Sequence, residues 1–144
     1  MHNDKVDFMK MSDDPYEATT HDVRVSVQAY YLEDESDPEA SRFFWAYQVK
    51  IENLSKESLQ LKSRSWRITD SMGRTEEVQG EGVVGEQPMI EPGYIFEYTS
   101  GAPLNTPSGF MVGQYKMYKN DGSSFDVEIP AFSLDSPYGS HTLN

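Results

Sequence analysis

The chain has 144 residues, which is enough for one domain that buries a sizeable core without metals or disulfides. It contains no cysteine, which excludes disulfide scaffolds, thiol nucleophiles and cysteine-ligated metals, and its formal net charge of −12 disfavours binding to nucleic acid or to an anionic membrane. The aromatic content is high at 12% and the apolar content is modest at 37%, a balance typical of half-buried strands rather than of helical bundles.

The N-terminal segment differs in character from the rest of the chain. Residues 1–20 carry five acidic and two basic side chains and show no apolar periodicity, so we predict a flexible acidic tail there and a single domain over residues 21–144. The domain opens with a predicted strand, in which apolar residues occupy every second position: Val23, Val25, Val27, Ala29 and Tyr31.

A second strand is predicted after the polar stretch of residues 33–41. Its alternating apolar residues are Phe43, Trp45, Tyr47, Val49 and Ile51. Leu59 and Leu61 continue the pattern, but Trp66 and Ile68 have the opposite parity. An extra residue near positions 63–65, as a β-bulge or a change of sheet, would return both pairs to one face.

Turn signals separate the remaining strands. The sequence Asp-Ser-Met-Gly at residues 70–73 predicts a turn, and Asn-Asp-Gly at residues 120–122 predicts a hairpin. The predicted core includes Trp45, Tyr47, Val49, Phe96 and Ile129. With seven to eight strands and no convincing helix, we predict an all-β fold, an antiparallel β-sandwich of the immunoglobulin or fibronectin type III style.

The candidate binding loop is a glycine-rich string at residues 79–88. Its candidate residues are Gln79, Gly80, Glu81, Gly82, Val83, Val84, Gly85, Gln87 and Pro88. The string matches G-x-G-x-x-G, but dinucleotide binding by that motif needs a helix behind the glycines, and the proline-rich continuation cannot form one. Five acidic side chains and no basic one over residues 75–91 would also repel phosphate.

Three interpretations of this loop stay open. An adaptable backbone with uncovered amides, flanked by Val83, Val84 and Pro88, would suit a protein partner. A conformationally demanding connection between sheets would need the same glycines for positive φ. A nest of loop amides could hold an anion without a helix.

Other candidate sites have weaker patterns. The acidic cluster consists of Glu33, Asp34, Glu35, Asp37 and Glu39. It lacks the ligand spacing of a calcium loop, so we interpret it as a solvated loop rather than as a metal site. No histidine has a partner at i+3 or i+4 and no G-x-S-x-G motif occurs, so the sequence assigns no catalytic residue, metal ligand or cofactor.

Several strings invite comparison with a known family. They are VQGEGVVGEQP at residues 78–88, IEPG at 90–93, YTSG at 98–101, FWAY at 44–47 and IENL at 51–54. With these strings, residues 22–138 closely resemble the ApaG family. The long acidic N-terminal segment departs from the short start usual in that family.

The resemblance implies a fibronectin type III-like sandwich associated with cobalt resistance and magnesium efflux. The same domain occurs in some eukaryotic F-box proteins and in a polymerase-interacting protein, where it resembles a protein-binding module. The family's glycine motif has been suspected of binding nucleotide or pyrophosphate, and the family offers no established catalytic residues to transfer.

Three functional hypotheses follow. We favour a non-enzymatic module that binds an unidentified protein partner; a metal-linked accessory factor and an anion-binding or nucleotide-binding protein are the alternatives. We expect no nucleic-acid partner, no membrane insertion and weak or no divalent-cation binding. No signal peptide or membrane-spanning run is visible, so a cytoplasmic location is expected.

Overall fold

The computed structural model describes residues 15–139, and its architecture is all-β. The strands are β1 (Tyr16–Thr20), β2 (Val23–Tyr31), β3 (Phe43–Asn53), β4 (Leu59–Asp70), β5 (Thr75–Glu81), β6 (Met89–Ile90), β7 (Ile95–Leu104), β8 (Gly109–Lys119) and β9 (Ser124–Leu134). Helical structure in these residues amounts to two single 3-10 turns, Glu33–Glu35 and Pro38–Ala40, so none of it could cross a membrane.

Two antiparallel sheets form a sandwich, as predicted. One sheet has the strand order β1-β2-β3-β7, and the other has the order β5-β4-β8-β9, with the short β6 also paired to β4. The Asn-Asp-Gly hairpin forms between β8 and β9, where the Gly122 N–H donates to the Lys119 carbonyl at 3.0 Å. The turn at residues 70–73 forms between β4 and β5, and the Gly73 N–H donates to the Asp70 carbonyl at 3.1 Å.

The core lies between the sheets and follows the predicted period of two. Trp45, Tyr47, Val49 and Ile129 are buried, whereas Phe96 is only partly buried against the core. Trp45 is 1% exposed, and its Nε1–H donates to the Asp135 carbonyl at 2.8 Å. The indole therefore satisfies its polar group while it fills the interior.

The prediction of a tail that extends to Thr20 is wrong for its last five residues. Tyr16–Thr20 forms β1, which pairs with β2 through a two-residue turn. Both turn residues, His21 and Asp22, have positive φ (49° and 64°), as the tight hairpins of twisted strands require. The Tyr16 ring packs against Phe132 with 6.4 Å between centroids, and residues 1–14 lie outside the described part of the chain.

The predicted irregularity in β4 lies at Lys62, one residue before the expected window. Leu61 pairs with Met117 and Ser63 pairs with Lys116, so Lys62 is an extra residue on β4. This bulge restores Leu61 and Trp66 to the same buried face. It also brings the Lys62 carbonyl to the edge of the sheet, where the glycine loop lies.

The two sides of the sandwich differ. On one side β1 and β2 pack against β9, and the Glu128 N–H donates to the Thr20 hydroxyl at 3.2 Å. On the other side the sheets end in β7 and β5. Here four hydrophobic residues of β4, β5 and β7 are only partly buried: Ile68, Val78, Phe96 and Leu104. We name this side the open seam.

Candidate functional site

The glycine loop, residues 79–88, links β5 to β6, and both of these strands pair with β4. Gln79, Gly80 and Glu81 complete β5, and the remaining residues of the loop arch over the bulge at Lys62. The loop therefore connects two strands along one edge of a single sheet. The interpretation of the loop as a connection between sheets is wrong.

Steric crowding and a positive φ explain why position 82 is a glycine. Gly82 has φ +66°, and a Cβ on it would lie 2.2 Å from the Glu86 carbonyl oxygen. The close approach arises because Val83 and Glu86 exchange two backbone hydrogen bonds, of 2.8 and 2.9 Å, around a two-residue turn. The central residues of that turn, Val84 and Gly85, have φ of 42° and 82°, the signs of a type I′ turn.

Hydrogen bonds fix the loop to β4. The Lys62 carbonyl accepts from the Gly82 N–H at 2.8 Å and from the Gln87 side-chain amide at 2.9 Å. The Leu61 N–H donates to the Pro88 carbonyl at 3.0 Å. The Gly82, Val83 and Glu86 amides are thus occupied, so the expectation of uncovered amides is wrong for these three residues.

Arg64 contacts the glycine loop, and this contact was not predicted from the sequence. The register places it opposite Tyr115 on β8 and Gly80 on β5, so it faces inward. Its Nη1 donates to the carbonyls of Glu81 (3.1 Å) and Gly82 (2.8 Å). A Cβ at position 80 would lie 2.7 Å from Nη1, so Gly80 makes room for the guanidinium.

Three buried tyrosines lie near the Arg64 guanidinium. The Tyr98 and Tyr115 hydroxyls hydrogen-bond to each other, and the Tyr47 hydroxyl bonds to Ser100. Burial raises the pKa of all three phenols, and the positive charge of Arg64 partly opposes the rise. These groups stay neutral at physiological pH and serve as a hydrogen-bonded lining of the interior.

The loop exposes one valine and buries the other. Val83 is 1% exposed and belongs to the core, so it cannot contact a partner as expected from the sequence. Val84 is 54% exposed at the tip of the turn. The loop also exposes the Glu81 and Glu86 carboxylates. Its accessible surface is therefore an apolar tip between negative charges, carried on a backbone that β4 holds in place.

The acidic cluster forms an irregular connection between β2 and β3. Glu33, Asp34 and Glu35 make one 3-10 turn, and Asp37 pairs through its backbone with Arg42. Within residues 15–139 no group of three or more histidine or acidic side chains is arranged to hold a metal ion. His21 packs edge-on against Phe125 with 5.3 Å between centroids, whereas the other two histidines lie outside the described residues.

The sequence of this chain matches a known family. The sequence model of the ApaG domain matches residues 33–119. The chain belongs to the ApaG family. Protein ApaG from Brucella anthropi is 57% identical over 129 residues, which cover 90% of this chain and 99% of that protein. Protein ApaG from Maricaulis maris is 62% identical over 122 residues, which cover 85% and 94% of the two chains.

A solved structure extends the ApaG assignment to the fold. The crystal structure of a Bordetella pertussis protein described as ApaA superposes with a TM-score of 0.78 at 44% sequence identity. The alignment covers 83% of this chain and 98% of that protein. The ApaG resemblance and the predicted β-sandwich are both confirmed.

Proposed function

We propose that this ApaG-family protein is a non-enzymatic protein-interaction module of the cytoplasm, and that its partner contacts the glycine loop. The observation that carries the proposal is the backbone of Val84, an exposed β-branched residue with φ 42°. A β-branched side chain in the left-handed region is strained by about 1–2 kcal/mol. Strain of this kind concentrates at functional sites.

The surroundings of Val84 support a binding role. The turn is closed by two hydrogen bonds and anchored to the Lys62 carbonyl, so little conformational entropy remains to be lost on binding. The exposed Glu81 and Glu86 carboxylates flank an apolar tip, which favours a partner with an apolar contact ringed by basic groups.

Affinity purification from the native cell tests the proposal, with Val84→Asp as the variant and Met72→Asp as the matched control. Met72 is 73% exposed at the turn between β4 and β5, so both changes place a carboxylate on an exposed apolar turn residue. Because Asp tolerates positive φ better than Val, Val84→Asp should leave the melting temperature unchanged or raised. We expect Val84→Asp to lose a partner that the wild type and Met72→Asp both retain. Equal capture by all three proteins would contradict the proposal.

We further propose that the interaction underlies a link to cobalt resistance and magnesium efflux. A strain that lacks the gene should regain cobalt tolerance with the wild type or Met72→Asp and should not regain it with Val84→Asp. Growth at graded cobalt concentrations measures the outcome. Full rescue by Val84→Asp would separate any metal phenotype from the glycine loop.

A further inference from the structure

We infer that the free edge of β7 receives an extended segment of a partner protein as an additional strand, which closes the open seam. The inference rests on the proposed function, since it specifies how a protein partner binds. Within residues 15–139, β7 pairs with β3 on one side and with no strand on the other. An unpaired strand edge offers a row of backbone donors and acceptors for such pairing.

The register identifies the backbone groups that face outward. The Phe44 carbonyl accepts from the Leu32 N–H at 2.9 Å, so the backbone polar groups of Phe44 point to the β2 side of β3. Phe44 lies opposite Pro103, and alternate pairs of an antiparallel ladder are the ones that exchange hydrogen bonds. Pro103 and the other odd-numbered residues of β7 therefore direct their backbone groups away from β3. The N–H donors of this edge belong to Ile95, Glu97, Thr99 and Gly101.

The two strands that border the open seam differ in how they are protected. β5 carries three carboxylates in its seven residues, at Glu76, Glu77 and Glu81, and charge on an edge strand discourages pairing with another chain. β7 carries one charged residue, Glu97, in its ten residues. Its proline lies near the C-terminal end and leaves the preceding edge available.

The open seam offers apolar surface to the side chains of an added strand. Ile68 and Val78 from one sheet, and Phe96 and Leu104 from the other, are only partly buried. At one end Thr75 and Glu76 face Pro103 and Leu104 across a cleft of about 390 Å³. A strand added about 4.8 Å beyond β7 would place every second side chain over this apolar surface.

The charged groups around the open seam indicate which kind of segment would bind there. Glu76 shares a face with Ile68 in the ladder, so its carboxylate borders the seam. Glu97 lies on the outer face of β7 opposite Lys50, where its side chain would neighbour an added strand. The basic groups at the seam are engaged: Arg64 bonds two loop carbonyls, and Arg74 pairs with Asp70 at 2.9 Å. The seam therefore favours an extended segment with alternating apolar residues and flanking lysine or arginine. A second copy of a chain with net charge −12 is disfavoured by repulsion.

A synthetic probe tests the inference without a known partner. The probe is a fluorescent ten-residue peptide in which valine alternates with threonine and a lysine stands at each end. Thr99→Pro removes one outward N–H that β3 does not use, and Thr99→Ala is the matched control that keeps it. We expect the wild type and Thr99→Ala to bind the peptide, and Thr99→Pro to bind at least tenfold more weakly with an unchanged strand spectrum.

Hydrogen exchange locates the contact. Peptide binding should slow the exchange of the Ile95, Glu97, Thr99 and Gly101 amides, and a peptide with glutamate in place of lysine should bind more weakly. Equal binding by a folded Thr99→Pro, or unchanged exchange along β7, would overturn the inference. Self-association of the wild type that Thr99→Pro abolishes would also overturn it, because the occupant would then be a second copy.

Two further experiments cover the cases in which Thr99→Pro does not fold or the proposed function fails. If Thr99→Pro does not fold, peptides methylated on the backbone nitrogens of either the valines or the threonines replace it. Loss of binding for one of these peptides and not for the other supports strand pairing, and undiminished binding of both overturns it. If Val84→Asp captures the same proteins as the wild type, the proposed function fails while the peptide assay still decides the role of β7.

Discussion

The hydroxyl groups of Tyr98 and Tyr115 hydrogen-bond to each other across the interior of the sandwich. Tyr98 belongs to β7 and Tyr115 to β8, so the bond joins the two sheets. Tyr115 is fully buried and Tyr98 is 8% exposed. Each phenol supplies the polar partner that the other would otherwise lack in an apolar interior.

This pair predicts alkaline sensitivity. Burial raises the pKa of both tyrosines above the ordinary value of about 10, so their contribution to stability is complete below that pH. It is lost as the pH rises from about 10 toward the raised pKa values. Urea unfolding between pH 8 and pH 11.5 should show this decline in the wild type. The free energy of unfolding of the Tyr98→Phe, Tyr115→Phe double variant should decline less over this pH range. Tyr94 is 68% exposed, so the free energy of unfolding of the Tyr94→Phe control should decline as it does in the wild type. Parallel curves for all three would contradict the assignment.

The two glycines of the turn should respond differently to alanine. Both have positive φ, but a Cβ at Gly82 meets the Glu86 carbonyl oxygen at 2.2 Å, whereas a Cβ at Gly85 meets nothing within 4 Å. Gly85→Ala should cost about 1 kcal/mol from the backbone alone, and Gly82→Ala about 2 kcal/mol or more. Chemical denaturation measures both values. Equal costs would show that the turn relaxes around the added methyl group.

Deletion of the N-terminus should separate the predicted tail from β1. Removal of residues 1–14 leaves every described contact intact and should change the melting temperature little. Removal of residues 1–20 also takes away the pairing of β1 with β2 and the packing of Tyr16 on Phe132. We expect the longer deletion to lower the free energy of unfolding by about 2 kcal/mol or more. Identical melting curves for the two deletions would mean that β1 adds no stability.

The acidic cluster should not confer stabilisation by metal. The described residues hold no group arranged as a metal site, and the backbone of Asp37 is committed to its pairing with Arg42. Scanning calorimetry with micromolar Co²⁺ or Mg²⁺ should show no upward shift in melting temperature. A clear shift that disappears in the Asp34→Asn, Glu35→Gln, Asp37→Asn triple variant would establish a cation site instead.

Apolar alternation was sufficient to predict the sandwich and most of its strands. It failed at β1, because Tyr16–Thr20 is held by backbone pairing, one aromatic contact and side-chain hydrogen bonds, none of which produces an apolar period in the sequence. The turn that pairs β1 with β2 has positive φ at His21 and Asp22 and lacks the glycine that normally signals it. The bulge in β4 was predictable because Leu61 and Trp66 have opposite parity.

The candidate site was only partly predictable. The glycines indicated unusual φ values, and Gly82 and Gly85 have them. The contact between Arg64 and Gly80 depends on the pairing register of β4 with β5, which no local pattern contains. The opposite fates of Val83 and Val84 depend on the turn type, since two adjacent valines in a sequence do not indicate which one will be buried.

The bulge at Lys62 also limits how this chain can change in length. Loss of one residue there would slide the rest of β4 along β8 and turn Trp66 toward solvent, while Gly82 and Gln87 would lose their shared acceptor. Compensation in β8 alone would not restore that acceptor. Insertions and deletions in β4 and in the glycine loop should therefore occur together, because a length change in one segment requires a compensating change in the other.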